Sequence, residues 1–285
     1  MSVQTHRFKV GDFECIAIND GDLKADQPGE FFAGASPAEL EAAFRQHKID
    51  PANFNIPCIC LLIDTGEHRV LVDAGAGPGI QPGMGRLLAG FQAEGITKES
   101  ITHVILSHGH WDHVGGCTDG HGQPDFPNAR YVMARDEWEY WAVDVDIYAY
   151  GDDSVDVIRF VQEKLVAIEK NLDQIEPTVE IVPGIQVVAT PGHTLHHTSV
   201  IAKSGEATLV CPVDVIDHPI HIENPDWHPA WDKDAEKGTE SRRQLIQQAV
   251  DTGAIVHGFH FPFPGVGHIV EAGNGWRFES LDIAD

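Results

Sequence analysis

Basic residues are scarce in this chain. Nineteen Lys and Arg stand against 44 Asp and Glu, a formal net charge of −25 over 285 residues. So acidic a surface repels a phosphate backbone, which argues against nucleic acid as a partner. Solubility or a salty habitat is the plain explanation of the charge. Long apolar runs are missing too. The best, Ile56 to Ile63, falls far short of the roughly 18–20 residues of a membrane span and reads as a buried strand, so no membrane partner is expected. Residues Met1 to Arg7 contain no apolar core, from which no secretory signal is expected. Cysteine is sparse and odd in number (Cys15, Cys58, Cys60, Cys117, Cys211), with no Cys-x-x-Cys pair. That excludes a cysteine-rich zinc site and fits reduced, buried thiols in a cytoplasmic protein. The remaining composition, 42% hydrophobic and 22% charged, is globular rather than disordered or fibrous. The length suits one large domain over residues 1–285. Histidine is the exception to scarcity: there are seventeen, many of them in short clusters.

Local pattern predicts mixed α/β structure. Residues 6–19 alternate as paired strands about a Gly11-Asp12 turn. Ser36-Pro37-Ala38-Glu39 is a capping box with proline at the first helical position, predicting a helix from Pro37 to about His47. Ile56–Asp64 and Arg69–Asp73 read as a hairpin, Gly75–Gly85 as a loop, Met84–Glu94 as a helix, and Thr102–Leu106 as a strand leading into His108. A strand at Ala129–Met133 precedes helices over about 135–172. Short strands follow at 179–182, 186–189, 199–202 and 208–213. Ala235–Val250 reads as an amphipathic helix stopped by Gly253. Two β-rich halves, each with helices, suggest two sheets packed face to face with helices outside.

The chemistry gathers in Ser107-His108-Gly109-His110-Trp111-Asp112-His113-Val114-Gly115-Gly116. In extended chain, side chains two apart point the same way, so His108 and His110 can grip one ion. Asp112 and His113 diverge, which suits a second ion beside the first. Imidazole and carboxylate are donors that zinc, manganese, cobalt or iron accept. A polar turn with incidental histidines explains a lone histidine better than it explains four donors in six residues.

This motif resembles the signature of the metallo-β-lactamase superfamily, and further segments of that family follow in order. Thr190-Pro191-Gly192-His193-Thr194 resembles its third segment, Cys211-Pro212-Val213-Asp214 ends a strand on a carboxylate, and His257-Gly258-Phe259-His260-Phe261-Pro262-Phe263-Pro264-Gly265 supplies a late histidine. The resemblance implies an αββα sandwich of two mixed β-sheets with outer helices, the segment at about 135–172 covering the active site. It implies two divalent transition-metal ions, zinc ranked first. His108, His110 and His193 would hold one ion, Asp112, His113 and His260 the other, with Asp214 bridging. Two such ions lower the pKa of a bridging water and polarise the substrate, and Asp112 is the expected catalytic residue, orienting hydroxide or shuttling a proton. Asp73 matches a supporting position near the metals. The third segment departs from the family's usual Gly-His-Thr-Pro-Gly-His, with Leu195-His196 in place of Pro-Gly. His197 is then expected beside the metals rather than on them, and His257 competes with His260 for the last ligand position. The other histidines (His68, His103, His121, His218, His221, His228, His268) are expected in surface, turn or hydrogen-bonded core positions.

Phe126–Tyr131 with Glu137 and Trp141, Asn224-Pro225-Asp226-Trp227, Thr239-Glu240-Ser241-Arg242 and the Pro-Phe-Pro-Gly tail resemble the branch holding quorum-quenching lactonases and methyl-parathion-hydrolase-like enzymes. A dinuclear hydrolase of lactones or aryl esters is therefore the leading expectation. Below it rank a phosphotriesterase, a glyoxalase II-like thioester hydrolase, a diiron oxidoreductase and a metal-free scaffold protein. Residues 191–285 carry six bases against fourteen acids, which disfavours an anionic glutathione thioester and favours a small neutral ester or lactone. Trp111, Trp227, Trp231, Phe259, Phe261 and Phe263 are candidates for an apolar pocket. Arg242 and Arg243 are expected on a helix outside the sheets. A homodimer is compatible with the sequence.

Overall fold

A computed structural model describes residues 3–145 and 155–281. Strands β1 (Thr5–Val10) and β2 (Phe13–Lys24) form a hairpin over the Gly11-Asp12 turn, and β3 (Asn55–Asp64) and β4 (Arg69–Val72) add antiparallel to it. β5 (His103–Ile105), β6 (Arg130–Ala134) and β7 (Leu172–Ile175) then join in parallel. The second seven-stranded sheet contains β8 (Val179–Val182), β9 (Ile185–Ala189), β10 (Thr198–Ser204), β11 (Ala207–Cys211), β12 (Ile255–His257), β13 (Val266–Ala272) and β14 (Gly275–Ser280). Its neighbours are antiparallel except β11 and β12. Both sheets are thus mixed, as expected for the αββα sandwich.

Apart from α1 (Pro37–Gln46), which lies between the antiparallel β2 and β3, the helices fall where the chain must cross between parallel strands. α2 (Leu87–Glu94) links β4 to β5, and the short α3 (Trp111–Val114) lies between β5 and β6. α4 (Arg135–Glu139), continued by a π-helical turn over 140–144, and α5 (Val155–Ile168) lie between β6 and β7. α6 (Pro219–Glu223) and α7 (Ala235–Thr252) separate β11 from β12. α1 has the predicted capping box: the Glu39 amide donates to Ser36 Oγ and the Glu39 carboxylate accepts from the Ser36 amide. α7 starts at Asp234, which caps the Lys237 amide, and stops at Gly253 in the left-handed conformation.

One core cluster draws on both sheets, joining Ile16, Leu61 and Val72 to Val187, Val200 and Leu209. A second packs Leu245, Ile246 and Ala249 of α7 onto Ile201, Val210, Val256 and Ile269. Several elements depart from the sequence expectation. The helical stretch ends at Ile168 and a tight turn, and Leu172 opens β7 instead; residues 146–154 of that stretch lie outside the described residues. Leu-Asp-Gln-Ile is too short to display a strand period, and pairing with β6 decides it. Trp111–Val114 is helical, so the metal-type motif is extended only as far as His110. The β13–β14 hairpin was not legible from the alternation of its residues.

Candidate metal centre

The site assembles at the ends of β5, β9, β11 and β12, where loops leave the sheets on one edge. β5 delivers Ser107 and His108, and α3 turns Asp112 and His113 back toward them. Close backbone approach makes this turn possible: a Cβ on Gly115 would sit 1.9 Å from the Ala76 carbonyl oxygen, and one on Gly116 2.0 Å from that of Ala74. β9 runs into the loop holding His193. The loop keeps its shape without Pro-Gly because the Thr194 carbonyl accepts from the Gly192 amide (2.8 Å) and the His197 carbonyl from the Thr190 amide (2.9 Å).

The seven expected ligand residues converge. His110 Nδ1 lies 2.9 Å from both His108 Nε2 and His193 Nε2. Asp214 Oδ2 is 3.3 Å from His193 Nε2, 3.4 Å from His260 Nε2 and 3.6 Å from His108 Nε2. Its Oδ1 is 3.3 Å from His113 Nε2. Asp112 Oδ2 stands 3.5 Å from His260 Nε2 and 3.7 Å from His113 Nε2. Donor atoms of His108, His110, His193 and Asp214 form one group within 4.8 Å, those of His113, Asp214 and His260 a second, and those of Cys58, Asp112 and His260 a third.

The rest of each ring explains why these atoms face inward. His113 Nδ1 donates to Asp73 Oδ2 (2.8 Å), His260 Nδ1 to the Pro57 carbonyl (2.8 Å), and His193 Nδ1 to Asp232 Oδ1 (2.9 Å). His108 Nδ1 meets Ser107 Oγ at 2.9 Å, and that hydroxyl donates to Asp73 (2.8 Å). Four rings are thereby held with Nε2 turned to the cluster, the arrangement that fixes histidine as a metal ligand. Buried His113 Nε2 and Asp214 Oδ1 have no hydrogen-bond partner. Three imidazole nitrogens packed together beside an unsatisfied carboxylate oxygen leave more lone pairs than hydrogens, and a divalent cation fits such a donor set.

The ionisation of these groups follows the same geometry. Burial, then His113, hold His108 well below the usual histidine range, and burial, then His193, do so for His110. Burial is the largest single effect on His193 and His260 and lowers both, but Asp214 and Asp232 together outweigh it at His193, as Asp214 and Asp112 do at His260, and both rise to about 9. Burial would raise Asp214; His113, His260 and His108 hold it well below the carboxylate range.

Of the supporting residues, Asp73 and His197 stand where the resemblance expected them, whereas Asp20 and Cys58 carried no motif. Asp73, in the left-handed region at φ 58°, accepts from the Ser107 amide and hydroxyl and from His113. Asp20 is a fully buried acid of β2, and its carboxylate accepts from the Ala76, Gly85 and Leu87 amides, shaping the loop beside α3. Cys58, within 3.7 Å of Asp112 Oδ2, is pushed up by burial first and Asp112 second, so its thiol stays protonated. His197 sits 5.0 Å, ring to ring, from His108. His257 is buried, but belongs to none of the three donor groups.

A cavity of about 350 Å³ opens on this cluster. Trp111 and Trp231 line it, as expected of them. The other four aromatics proposed for the pocket lie elsewhere: Phe259 and Phe261 are in the core, Trp227 and Phe263 pack against separate apolar clusters. Leu23 and Phe31 take their place, with Trp141, Val157, Ile158 and Val161 from the 135–172 segment. α7 does lie outside the sheets, but Arg242 is fully buried, donating to the Val215, Pro225 and Trp227 carbonyls; Arg243 is exposed and pairs with Asp226.

A family model of the metallo-beta-lactamase superfamily matches residues 55–252. The chain belongs to the metallo-β-lactamase superfamily. Among curated relatives, the N-acyl homoserine lactonase of Bacillus cereus is 26% identical over 200 residues, covering 63% of this chain and 72% of the relative. Among solved structures, AidC, a dizinc quorum-quenching lactonase in complex with a homoserine product, superposes with a TM-score of 0.92 at 26% identity, over 100% of this chain and 99% of AidC. The hydrolase AbOPH superposes at 0.90 with 21% identity, over the full length of both, a likeness of fold. This member of the superfamily is a metal-dependent hydrolase. Among the described residues no helix is long and apolar enough to cross a membrane.

Proposed function

We propose that this superfamily member is a dinuclear hydrolase of small neutral lactones or aryl esters. His108, His110 and His193 would hold one ion, Asp112, His113 and His260 the other, and Asp214 would touch both. The observation that carries the substrate reading is the cavity wall. Outside the ligand cluster its polar side chains are Asp217 and Lys233, while Leu23, Phe31, Trp111, Trp141, Val157, Ile158, Val161 and Trp231 are apolar. Such a wall suits an acyl chain or aryl group and offers little to a polyanionic thioester. The lactonase relatives support the same choice.

Bound divalent ions would supply Lewis acidity to the substrate oxygen and acidify a water. The chain's own groups do the rest. Asp112 lines the cavity and is placed to orient the attacking water and accept its proton. Asp73, Ser107, Asp232 and the Pro57 carbonyl keep the imidazoles in one orientation. Trp141, Val157, Ile158 and Val161 keep bulk water from the reacting carbonyl, residues 135–145 and 155–172 acting as a roof within one domain. The imidazole and carboxylate donors and the dizinc relative favour zinc. The five buried, free cysteines favour the cytoplasm.

The test is kcat/KM on an acyl-homoserine lactone, an aryl ester, a phosphotriester, S-lactoylglutathione and a cephalosporin, with metal analysis of the same sample. A lactone or aryl ester should lead, with two ions per chain. A tenfold lead by the thioester or cephalosporin, about 1.4 kcal/mol of transition-state preference, overturns the substrate reading.

A further inference from the structure

Asp217 and His221 lie four residues apart past the Asp214 turn, and both side chains are buried. Asp217 lines the cavity, with His221 of α6 beside it. His221 Nε2 is 2.8 Å from the Phe31 carbonyl oxygen. A carbonyl only accepts, so Nε2 carries the hydrogen, and in a neutral ring Nδ1 is then a bare acceptor. Nδ1 faces Asp217 Oδ2 at 4.0 Å, and neither atom has a hydrogen-bond partner. That gap is too narrow for an intervening water. Two acceptors facing one another away from solvent repel, whereas one proton held by either of them removes that repulsion.

We propose that Asp217 and His221 share one proton, which Asp217 delivers to the oxygen leaving the substrate as the acyl C–O bond breaks. This rests on the ester or lactone hydrolysis proposed above. The water oxygen bonds to the acyl carbon and gives one proton to the site. The acyl C–O bond breaks with its electron pair on the leaving oxygen, which takes the proton from Asp217. The proton shed by water restores the pair, and the sum is lactone plus water to hydroxy acid. Burial, then Asp214, push the Asp217 carboxyl up to about 8, Asp232 acting in the same sense and His193 and His260 against it. Burial, then Arg242, hold His221 well below its usual range. Of the pair only Asp217 lines the cavity, so the carboxyl is the member that can hand the proton on. The need for a proton comes from the facing acceptors and stands with cations bound nearby.

An alkoxide leaving group needs protonation and a 4-nitrophenolate does not, which separates proton delivery from a structural role. On zinc-loaded protein of unchanged metal content, Asp217→Asn should lose about 100-fold in kcat on an aliphatic γ-lactone. On 4-nitrophenyl acetate it should lose less than about threefold, with a steeper leaving-group dependence across a series of aryl acetates. His221→Gln, which keeps an amide for the Phe31 carbonyl, should show the same selectivity with a smaller loss. An infrared band of a protonated carboxyl should be present in the zinc-loaded wild type, absent in Asp217→Asn and shifted in His221→Gln. Equal losses on lactone and 4-nitrophenyl ester, or no carboxyl band, overturns the proposal. A wild type that turns over the aryl series but not the lactone sinks the lactone preference alone, since the series still decides on Asp217. Inactivity on every ester overturns both.

Discussion

Replacing Glu137 by alanine removes the acceptor that ties together two ligand-bearing loops. Its carboxylate is 1% exposed. It accepts from the Gly109 amide (3.0 Å), between His108 and His110, from Thr194 Oγ1 (2.8 Å), next to His193, and from Trp141 Nε1 (2.7 Å). The same Trp141 presses on the loop so closely that a Cβ on Gly109 would sit 2.2 Å from its Cδ1. Glu137→Ala leaves three buried donors unpaired, at about 1–3 kcal/mol each. Water entering the vacated space offsets part of this, so the net loss should be about 3–5 kcal/mol. At roughly 2–4 °C per kcal/mol for a chain of this order of size, Tm should fall by about 6–20 °C. Glu137→Gln keeps one oxygen for Gly109 and Trp141 and sets an amide against the Thr194 hydroxyl, which can accept, so its cost should be about 1 kcal/mol. Urea unfolding of metal-loaded and chelator-treated protein measures both, and competition with a chromophoric chelator should show metal affinity about 10–100-fold weaker in the alanine variant. An alanine variant within about 1 kcal/mol of wild type, or a glutamine variant equally damaged, refutes the reasoning.

His257→Ala should retain both ions, since burial holds His257 neutral at about 3 and its ring lies outside the donor groups, whereas His260→Ala should lose one ion and most turnover; equal metal loss by elemental analysis would mean the last ligand is misplaced. Asp73→Ala should weaken metal binding about 10–100-fold by freeing His113 and Ser107, with Asp73→Asn milder because asparagine tolerates positive φ and keeps an acceptor; unchanged affinity in a chelator titration refutes it. In chelator-treated protein, His193 and His260 hold protons up to about 9, against 6.5 for free histidine. Their raised folded-state values contribute stability that is full below 6.5 and lost as pH rises through 9. Tm of the stripped protein should therefore fall from about pH 7 to about pH 10, while metal-loaded protein, whose ions displace those protons, should not follow it; a flat profile for the stripped protein refutes the assignment.

Residues 108–113 determine much of the site by themselves. Four donors in six residues after a β-branched strand state both the chemistry and its place at a strand end, and the capping box at Ser36 and the αL stop at Gly253 state two helix ends just as locally. These are short-range signals, set by side-chain spacing and backbone sterics, so they survive without knowledge of the fold. His193, Asp214 and His260 were legible through segments resembling a family, and the two mixed sheets with them.

Tertiary structure alone decided the rest. Glu137, Asp232 and Asp20 sit in no periodic pattern, and each acts through backbone or ring N–H groups that folding brings from elsewhere in the chain. Leu23 and Phe31 displaced four expected aromatics from the cavity because hydrophobicity says that a residue is buried and not which face of the core receives it. Arg242 shows the same limit for charge: its place on α7 follows from helical spacing, but its burial depends on three carbonyls that the 215–227 segment brings to it. The facing of Asp217 and His221 likewise depends on Phe31, nearly two hundred residues away in the chain, whose carbonyl fixes the imidazole tautomer. Periodicity and spacing travel along the chain, whereas hydrogen-bond partners and cavity walls are set by which distant segments close on one another.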